Sequence, residues 1–253
     1  MKYRVAIPSY KRYNELGSKT LSILNKYNIP KDIIDIFVNT PEEYNIYKKL
    51  YPDYNIILGE LGMKEIREFI FNYYNEGDKI LCMDDDIRGI KIKNTRKTYK
   101  NPGRMIEDII GFDKYIEKGF ELCEENNTIF WGISPTTNHG YMKWTDTTDF
   151  KFLPGWLFGV IIDKEVLKLN VAQYEDFERC IKVYKKYGKL IRMNYICATT
   201  NTGKCNGGMN DTNRINIMNR DLNILKSLYS DYFIIKDKKS ALNGVNPLLK
   251  IKK

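Results

Sequence analysis

Apolar positions in the first third of the chain switch between two periods. Tyr3 to Ile7 is a short apolar run ended by Pro8, and it predicts a strand. Leu16, Thr20, Leu21 and Leu24 then recur at helical spacing. Ile33 to Asn39 is rich in β-branched residues and predicts a second strand. Pro41 to Tyr51 has Thr40 as an N-cap, proline at its first position and Glu42 and Glu43 in its first turn, so it predicts a helix. Asn55 to Leu58 follows as a third strand. Met63 to Tyr74 is amphipathic, with Ile66, Phe69, Ile70 and Tyr73 on one face. Gly77-Asp78 stops it, and Lys79 to Met83 is a fourth strand. This alternation predicts the α/β class, a Rossmann-like and mostly parallel central sheet with helices on both faces.

The pattern then loosens. Lys91 to Arg104 holds six basic residues and no acidic one. Met105 to Glu125 reads as one long helix. Ile129 to Ile133 and Trp156 to Ile162 read as strands around a polar loop, Ser134 to Lys151. Glu175 to Tyr187 is helical and ends at Gly188, and Leu190 to Cys197 is another strand. Thr199 to Thr212 is polar and glycine-rich, which predicts a mobile loop. Ile215 to Tyr229 is a last helix and Tyr232 to Ile235 a last strand. No repeat or linker interrupts the chain, so residues 1–253 read as a single domain with two halves, about 1–90 and 91–253.

Composition narrows the class. At 43% hydrophobic and 29% charged residues, a chain of this length buries a core and is neither disordered nor fibrous. Lys and Arg number 41 against 32 Asp and Glu, and the excess of +9 points to an anionic partner or to lysine as the default surface residue. Cys82, Cys123, Cys180, Cys197 and Cys205 form no C-x-x-C pair, so buried thiols in a reducing compartment are expected. The N-terminus lacks a signal-peptide apolar region. The longest apolar run, Leu153 to Ile162, is broken by Pro154 and Gly155 and is too short to span a bilayer. The expected location is the cytoplasm, that of the host if the source is a phage or virus.

The candidate chemistry lies at Asp84-Asp85-Asp86, directly after the fourth strand. Open α/β sheets bind ligands at the carboxyl edge of their strands. Three adjacent carboxylates repel and need solvent, cations or a metal. Oxygen-only ligation suits Mg²⁺ or Mn²⁺, which would neutralise a diphosphate leaving group. The alternative is an acidic turn that caps the next segment. The opening Val5 to Arg12 is a strand, a turn and then a helix, an arrangement that points backbone N–H groups at an anion.

Together these residues resemble the nucleotide-sugar glycosyltransferases of the GT-A fold. Pro8, Tyr10 and Arg12 match a Pro-x-Tyr/Phe-x-Arg-like first-strand turn. Gly62 and Arg67 match a donor-side Gly-x-x-x-x-Arg helix, and Asp84 and Asp86 match the Asp-x-Asp motif. The resemblance implies a GT-A-like domain with residues 1–90 as the nucleotide-sugar half and 91–253 as the acceptor-side half. It implies a donor site of Pro8, Ser9, Tyr10, Arg12, Arg67, Asp84 and Asp85, with Asp84 and Asp86 on Mn²⁺ or Mg²⁺ and a UDP-sugar as co-substrate. Tyr174-Glu175-Asp176 resembles the x-Glu-Asp motif of inverting members, which implies Asp176 as catalytic base beside Glu175. The bland alternative is helix capping, since acids favour a helix first turn; a retaining mechanism then stays open. A C-terminal histidine ligand, common in the family, is absent, because His139 is the single histidine. The Gly203 to Gly208 stretch, with Lys204, Gly207 and Gly208, could close over the diphosphate or be a surface turn.

Ile7 to Arg12, Met83 to Ile87 and the general layout also resemble the glycosyltransferases of phages and large viruses associated with TET/JBP-type base hydroxylases. That resemblance implies a hydroxymethylated pyrimidine in DNA as acceptor. Lys91, Lys93, Arg96, Lys97, Lys100 and Arg104 could meet a DNA backbone, with Lys182, Lys185, Lys186 and Lys189 as a second basic face. Trp131, Tyr141, Trp144 and Trp156 could stack a flipped base or a sugar. A solvated lysine-rich face is the alternative. A glycan, lipid or protein acceptor, and a sugar nucleotidyltransferase, are the rival readings.

Overall fold

The computed structural model describes residues 2–94, 105–200, 214–239 and 245–251. Four strands open it: β1 (Arg4–Pro8), β2 (Ile34–Val38), β3 (Asn55–Leu58) and β4 (Lys79–Met83). The helices between them are α1 (Tyr13–Leu16), a π turn at Gly17–Leu21 running into α2 (Ser22–Lys26), then α3 (Pro41–Leu50) and α4 (Met63–Tyr73). Thr40 caps α3 by accepting the Glu43 N–H. The pairs β1–β2, β2–β3 and β1–β4 are parallel, as the alternation predicts.

The second half extends the same sheet. Its elements are β5 (Gly89–Lys93), β6 (Ile106–Asp108), α5 (Phe112–Glu125), β7 (Phe130–Ser134), β8 (Asp146–Thr147), β9 (Leu157–Ile161), α6 (Lys164–Leu167), α7 (Glu175–Tyr187) and β10 (Ile191–Thr199). The strand order is β3-β2-β1-β4-β9-β7-β10-β5-β6, with β8 also against β10. Only β7–β10 adds a parallel pair here, because β9, β5, β6 and β8 all run antiparallel to their neighbours. The α/β class with helices on both faces holds. The sheet is mixed, with its parallel pairing concentrated in the first half. α8 (Arg214–Tyr229) and a hairpin of β11 (Phe233–Lys239) and β12 (Val245–Leu249) complete the described chain.

Alternating side chains divide the core between the two faces of the sheet. Val5, Ile7, Leu81 and Met83 pack with α3 and α5 through Tyr47, Phe112, Ile116 and Phe120. Ala6, Ile80 and Cys82 pack with α4 and α7 through Ile66, Ile70, Cys180 and Val183. β4 is apolar on both faces because it lies inside the sheet between β1 and β9. Cys82, Cys123, Cys180 and Cys197 are buried and free. Cys205 and the predicted mobile loop lie almost wholly outside the described residues. Among the described residues no helix is long and apolar enough to cross a membrane.

The second half departs from expectation in several places. Met105 to Glu125 is not one helix, since Ile106–Asp108 pairs with β5 and Gly111, at φ 68°, breaks the chain before α5. β5 overlaps, at Lys91 to Lys93, the stretch singled out only for its charge, and β8 lies in the expected polar loop. The β11–β12 hairpin replaces the single expected last strand.

Candidate active site

The chain steps from β1 through β2 to β3 on one side, then returns to place β4 on the other side of β1. A crevice opens at the carboxyl ends of strands where the order reverses in this way. Residues 9–12 follow β1 there, and Asp84 to Asp86 follow β4. β9 runs antiparallel to β4, so its amino end reaches the same edge: Met83 pairs with Leu157, and the Asp84 N–H donates to the Trp156 carbonyl at 2.9 Å. Thr20 fastens the triplet from the π turn. Its hydroxyl donates to the Asp84 carbonyl at 2.7 Å and accepts the Ile87 N–H at 3.0 Å.

The three aspartates face different surroundings. Asp84 has a side chain 37% exposed, and the Arg67 guanidinium donates to it at 2.6 Å. Asp85 is buried; it accepts from Ser9 at 2.7 Å and from Arg12 at 2.9 Å. Asp86 is buried, with Arg12 at 3.4 Å. Burial raises the Asp85 carboxyl to about 6 against the pull of Arg12 and Ser9. Burial raises Asp86 too, and the neighbouring Asp84 charge adds to the rise. Asp85, expected among the donor-site residues, holds the β1 turn through Ser9 and Arg12.

α3 braces that turn from behind. One Glu43 carboxylate oxygen accepts the Lys11 N–H at 2.5 Å, and the other the Asn39 N–H at 3.3 Å. The buried Tyr47 hydroxyl bonds Ser9 at 2.7 Å and accepts the Arg12 N–H at 3.3 Å. Lys11 sits at φ 55°, a left-handed conformation that a non-glycine residue holds only under such restraint. Its ammonium lies over the ring of Tyr10, which is half-buried. Pro8 ends β1. In the sequence Glu43 is readable only as a first-turn acid and Tyr47 only by its helical spacing.

The first turn of α7 reaches the crevice as well. Arg67, 2% exposed on α4, donates to the Gly155 carbonyl at 3.2 Å and faces Glu175 at 3.8 Å. Glu175 also pairs with Arg179 one turn along α7. A Cβ on Gly155 would lie 2.8 Å from Glu175 Oε1 and 3.4 Å from the Asp176 Cβ, so glycine permits this approach. Asp176 Oδ1 accepts the Phe177 N–H at 2.9 Å. Burial raises the Asp176 carboxyl, against backbone N–H groups of Phe177 and Gly155 and the charge of Arg67. Residues far apart in the chain therefore meet here: Arg12, Arg67, Asp84, Asp86, Glu175 and Asp176. Arg179 was not among the expected residues, although its spacing of four from Glu175 is readable as an ion pair.

Asp84 and Asp86 are oxygen-only groups that a hard divalent cation suits, and a cation there would offset both the burial and the Asp84 charge that raise the Asp86 carboxyl. Among the described residues no three His, Cys, Asp or Glu side chains cluster as a complete metal cage. Mg²⁺ commonly needs only one or two carboxylates when substrate phosphates supply the rest.

The expected acceptor residues divide. Trp156 adjoins the triplet, but its ring packs against the core. Trp131 cannot stack a ligand, being fully buried. Tyr141 is exposed, and Trp144 stacks on Tyr195 with ring centroids 4.9 Å apart. Lys91 pairs with Asp108, and Lys93 donates to the His139 and Met142 carbonyls at 3.0 and 2.7 Å. The second basic face is also largely engaged. Lys182 donates to the Lys168 carbonyl, Lys185 lies over Tyr229 and Tyr232, and Lys186 pairs with Asp163 and Glu165. Arg96, Lys97, Lys100, Arg104, Lys204, Gly207 and Gly208 lie outside the described residues. Two surface cavities, about 610 and 390 Å³, open at the other end of the strands around Lys2 and Tyr3. The candidate chemistry occupies neither of them.

No family model matches the chain. No curated protein matches it either. Among solved structures, one that resembles it is the crystal structure of GalNAc-T7 with UDP, GalNAc and Mn²⁺, at a TM-score of 0.51 and 13% identity. That likeness covers 91% of this chain and 50% of that one, so the chain spans about half its length. Mannose-6-phosphate isomerase from Helicobacter pylori aligns at a TM-score of 0.41 and 12% identity, over 76% of this chain and 86% of that one. The likeness to GalNAc-T7 is one of fold, that of a large α/β sheet flanked by helices.

Proposed function

We propose that the chain is a metal-dependent glycosyltransferase that moves a sugar from a nucleotide-sugar donor to a hydroxyl acceptor. One observation carries the reading: the β1 turn, the β4 carboxylates, Arg67 and the start of α7 converge on one crevice of a GT-A-like sheet. The β1 turn, with Tyr10 and Arg12, would hold the nucleoside, and Asp84 and Asp86 would hold Mn²⁺ or Mg²⁺. The metal would supply charge neutralisation for the departing diphosphate. The GalNAc-T7 structure contains UDP and Mn²⁺, which supports a UDP-sugar donor.

Asp176 is the better base of the α7 pair. Glu175 is held by two guanidinium groups, whereas Asp176 has a raised pKa at the same edge. A base needs affinity for a proton near working pH. Asp176 accepts the acceptor hydroxyl's proton as that oxygen bonds to the anomeric carbon. The bond from anomeric carbon to diphosphate breaks, and its electron pair leaves with the nucleoside diphosphate. Attack opposite the leaving group inverts the anomeric centre.

The acceptor we propose is a hydroxymethylated pyrimidine in DNA, on the basic stretch after the metal motif and the exposed Tyr141 and Trp144. A glycan, lipid or protein acceptor is the second reading. It is favoured by the engagement of Lys91, Lys93, Lys182, Lys185 and Lys186 within the fold. A screen of UDP-sugars against hydroxymethylated and plain DNA, with Mn²⁺ or Mg²⁺, tests the proposal. Release of UDP with a sugar left on modified DNA is the expected outcome. Release of pyrophosphate from a nucleoside triphosphate would make the chain a nucleotidyltransferase. Asp84→Ala or Asp86→Ala is expected to lower transfer at least about a hundredfold. Undiminished turnover in either variant, in the presence of chelator, would remove the metal assignment.

A further inference from the structure

Among the described residues Arg179 is an anomalous charge. Its side chain is fully buried on α7, and among the described residues none of its three guanidinium nitrogens makes a well-formed hydrogen bond. The rings of Phe158, Phe71 and Phe130 surround it, with centroids 4.2, 5.5 and 5.7 Å from the guanidinium carbon. Burial and the nearby Arg67 charge lower its pKa to about 9, so it is still a cation at neutral pH. A buried cation whose single carboxylate contact leaves its other nitrogens without hydrogen bonds is costly, and an apolar residue of similar volume would serve stability as well or better.

Its one carboxylate partner explains its orientation. Glu175 places one oxygen toward Arg179 and the other toward Arg67 and Gly155. Arg67 in turn turns its outer nitrogen to Asp84 and the Gly155 carbonyl. Charge therefore alternates along one line: Arg179, Glu175, Arg67, Asp84. Without Arg179, Glu175 would draw Arg67 away from Asp84, since a lone carboxylate in this buried setting takes the nearest cation.

We propose that Arg179 is a positioning residue that, through Glu175, sets Arg67 against Asp84 and so shapes the donor and metal side of the crevice. This rests on the transferase reading for its purpose, though not for its geometry.

The test uses Arg179→Met, which fills the phenylalanine cage without a charge, alongside Glu175→Gln, the double variant and Glu175→Asp. Thermal melting reports folding. Mn²⁺ electron paramagnetic resonance with UDP reports the site, and solvent exchange of the Arg67 guanidinium protons by NMR reports the linkage without any ligand. R179M is expected to fold and to weaken Mn²⁺-dependent UDP binding by about tenfold or more, as outlying partners of a metal site commonly do. Arg67 proton exchange should quicken by a similar factor. The double variant should bind no more weakly than E175Q alone, because the two residues act as one unit. If R179M does not fold, E175D decides, because its shortened carboxylate cannot span both arginines and should show the same loss. A folded R179M with wild-type UDP binding and wild-type Arg67 exchange would overturn the proposal. So would independent, additive losses in the double variant. A wild-type protein that binds no UDP with Mn²⁺, yet whose Arg67 exchange quickens in R179M, would keep the linkage and remove the transferase reading.

Discussion

Glu175 and Asp176 are adjacent in the chain and have opposite surroundings. Two arginines hold Glu175, whereas Asp176 has a carboxyl raised by burial. Asp176→Asn removes proton acceptance and leaves size and hydrogen bonding nearly unchanged. Transfer should fall by about two to four orders of magnitude, with UDP affinity within about threefold of wild type. Single-turnover transfer beside equilibrium UDP binding checks this, and wild-type turnover would exclude Asp176 as base. The triplet also sets a pH dependence. Asp85 titrates near 6, above its ordinary 3.8, and Asp86 is shifted in the same direction. A carboxyl with a raised native pKa binds its proton more tightly folded than unfolded. Its contribution to stability is therefore present at low pH and is lost as pH rises through about 6. The proposed ligand binding would run the other way, because a metal and Arg12 would need ionised carboxylates. Mn²⁺-dependent UDP affinity should fall as pH drops from 7 through 6, a window an isothermal titration series resolves. A fall only near pH 4 would mean that burial does not control the triplet.

Elements carry the precision of the site. α3 fixes the β1 turn through Glu43 and Tyr47, and the π turn fixes the triplet through Thr20. Trp131 on β7 is wedged between α5 and β9. A Cβ on Gly119 would come within 2.5 Å of its ring, and one on Gly159 within 2.0 Å of its Nε1. Gly159→Ala is thus expected to destabilise the protein by about 1–3 kcal/mol, read as a lowered melting temperature. Trp131→Phe in the same chain should recover part of that loss. Neither glycine stands out in the sequence, because the clash is with a ring from another element. By contrast β3, β4 and α7 were legible to the residue. Asn55 to Leu58 and Lys79 to Met83 are apolar runs between turn signals, and α7 has Gly188 at φ 72° as its stop. The short strands β5, β6 and β8 were not legible, since edge strands of two to five residues take their structure from the neighbour they pair with.

For the whole molecule, the excess of +9 is a field and not yet a site. Several cations named for the acceptor are paired inside the fold, so a DNA-binding strip depends on residues such as Lys97 and Lys100. Charge reversal at both should lower affinity for hydroxymethylated duplex DNA at low salt by more than about tenfold and flatten the salt dependence. Unchanged DNA affinity, measured by fluorescence anisotropy over a salt series, would favour the glycan, lipid or protein acceptor.

By itself the sequence determined the α/β alternation, the carboxylates at the end of β4, the turn after β1 and the acids that open α7. Each is a local signal: a period, a cap, or a charge placed after an apolar run. Only the tertiary structure decided that these three sites share one crevice. β4 returns beside β1, β9 runs antiparallel to bring Gly155 and Trp156 to the same edge, and α7 reaches Arg67 across that edge. It also decided which aspartate faces outward and which is spent on Arg12, and it put a buried cation behind Glu175. Burial and partnership depend on residues distant in the chain, and no local pattern encodes them.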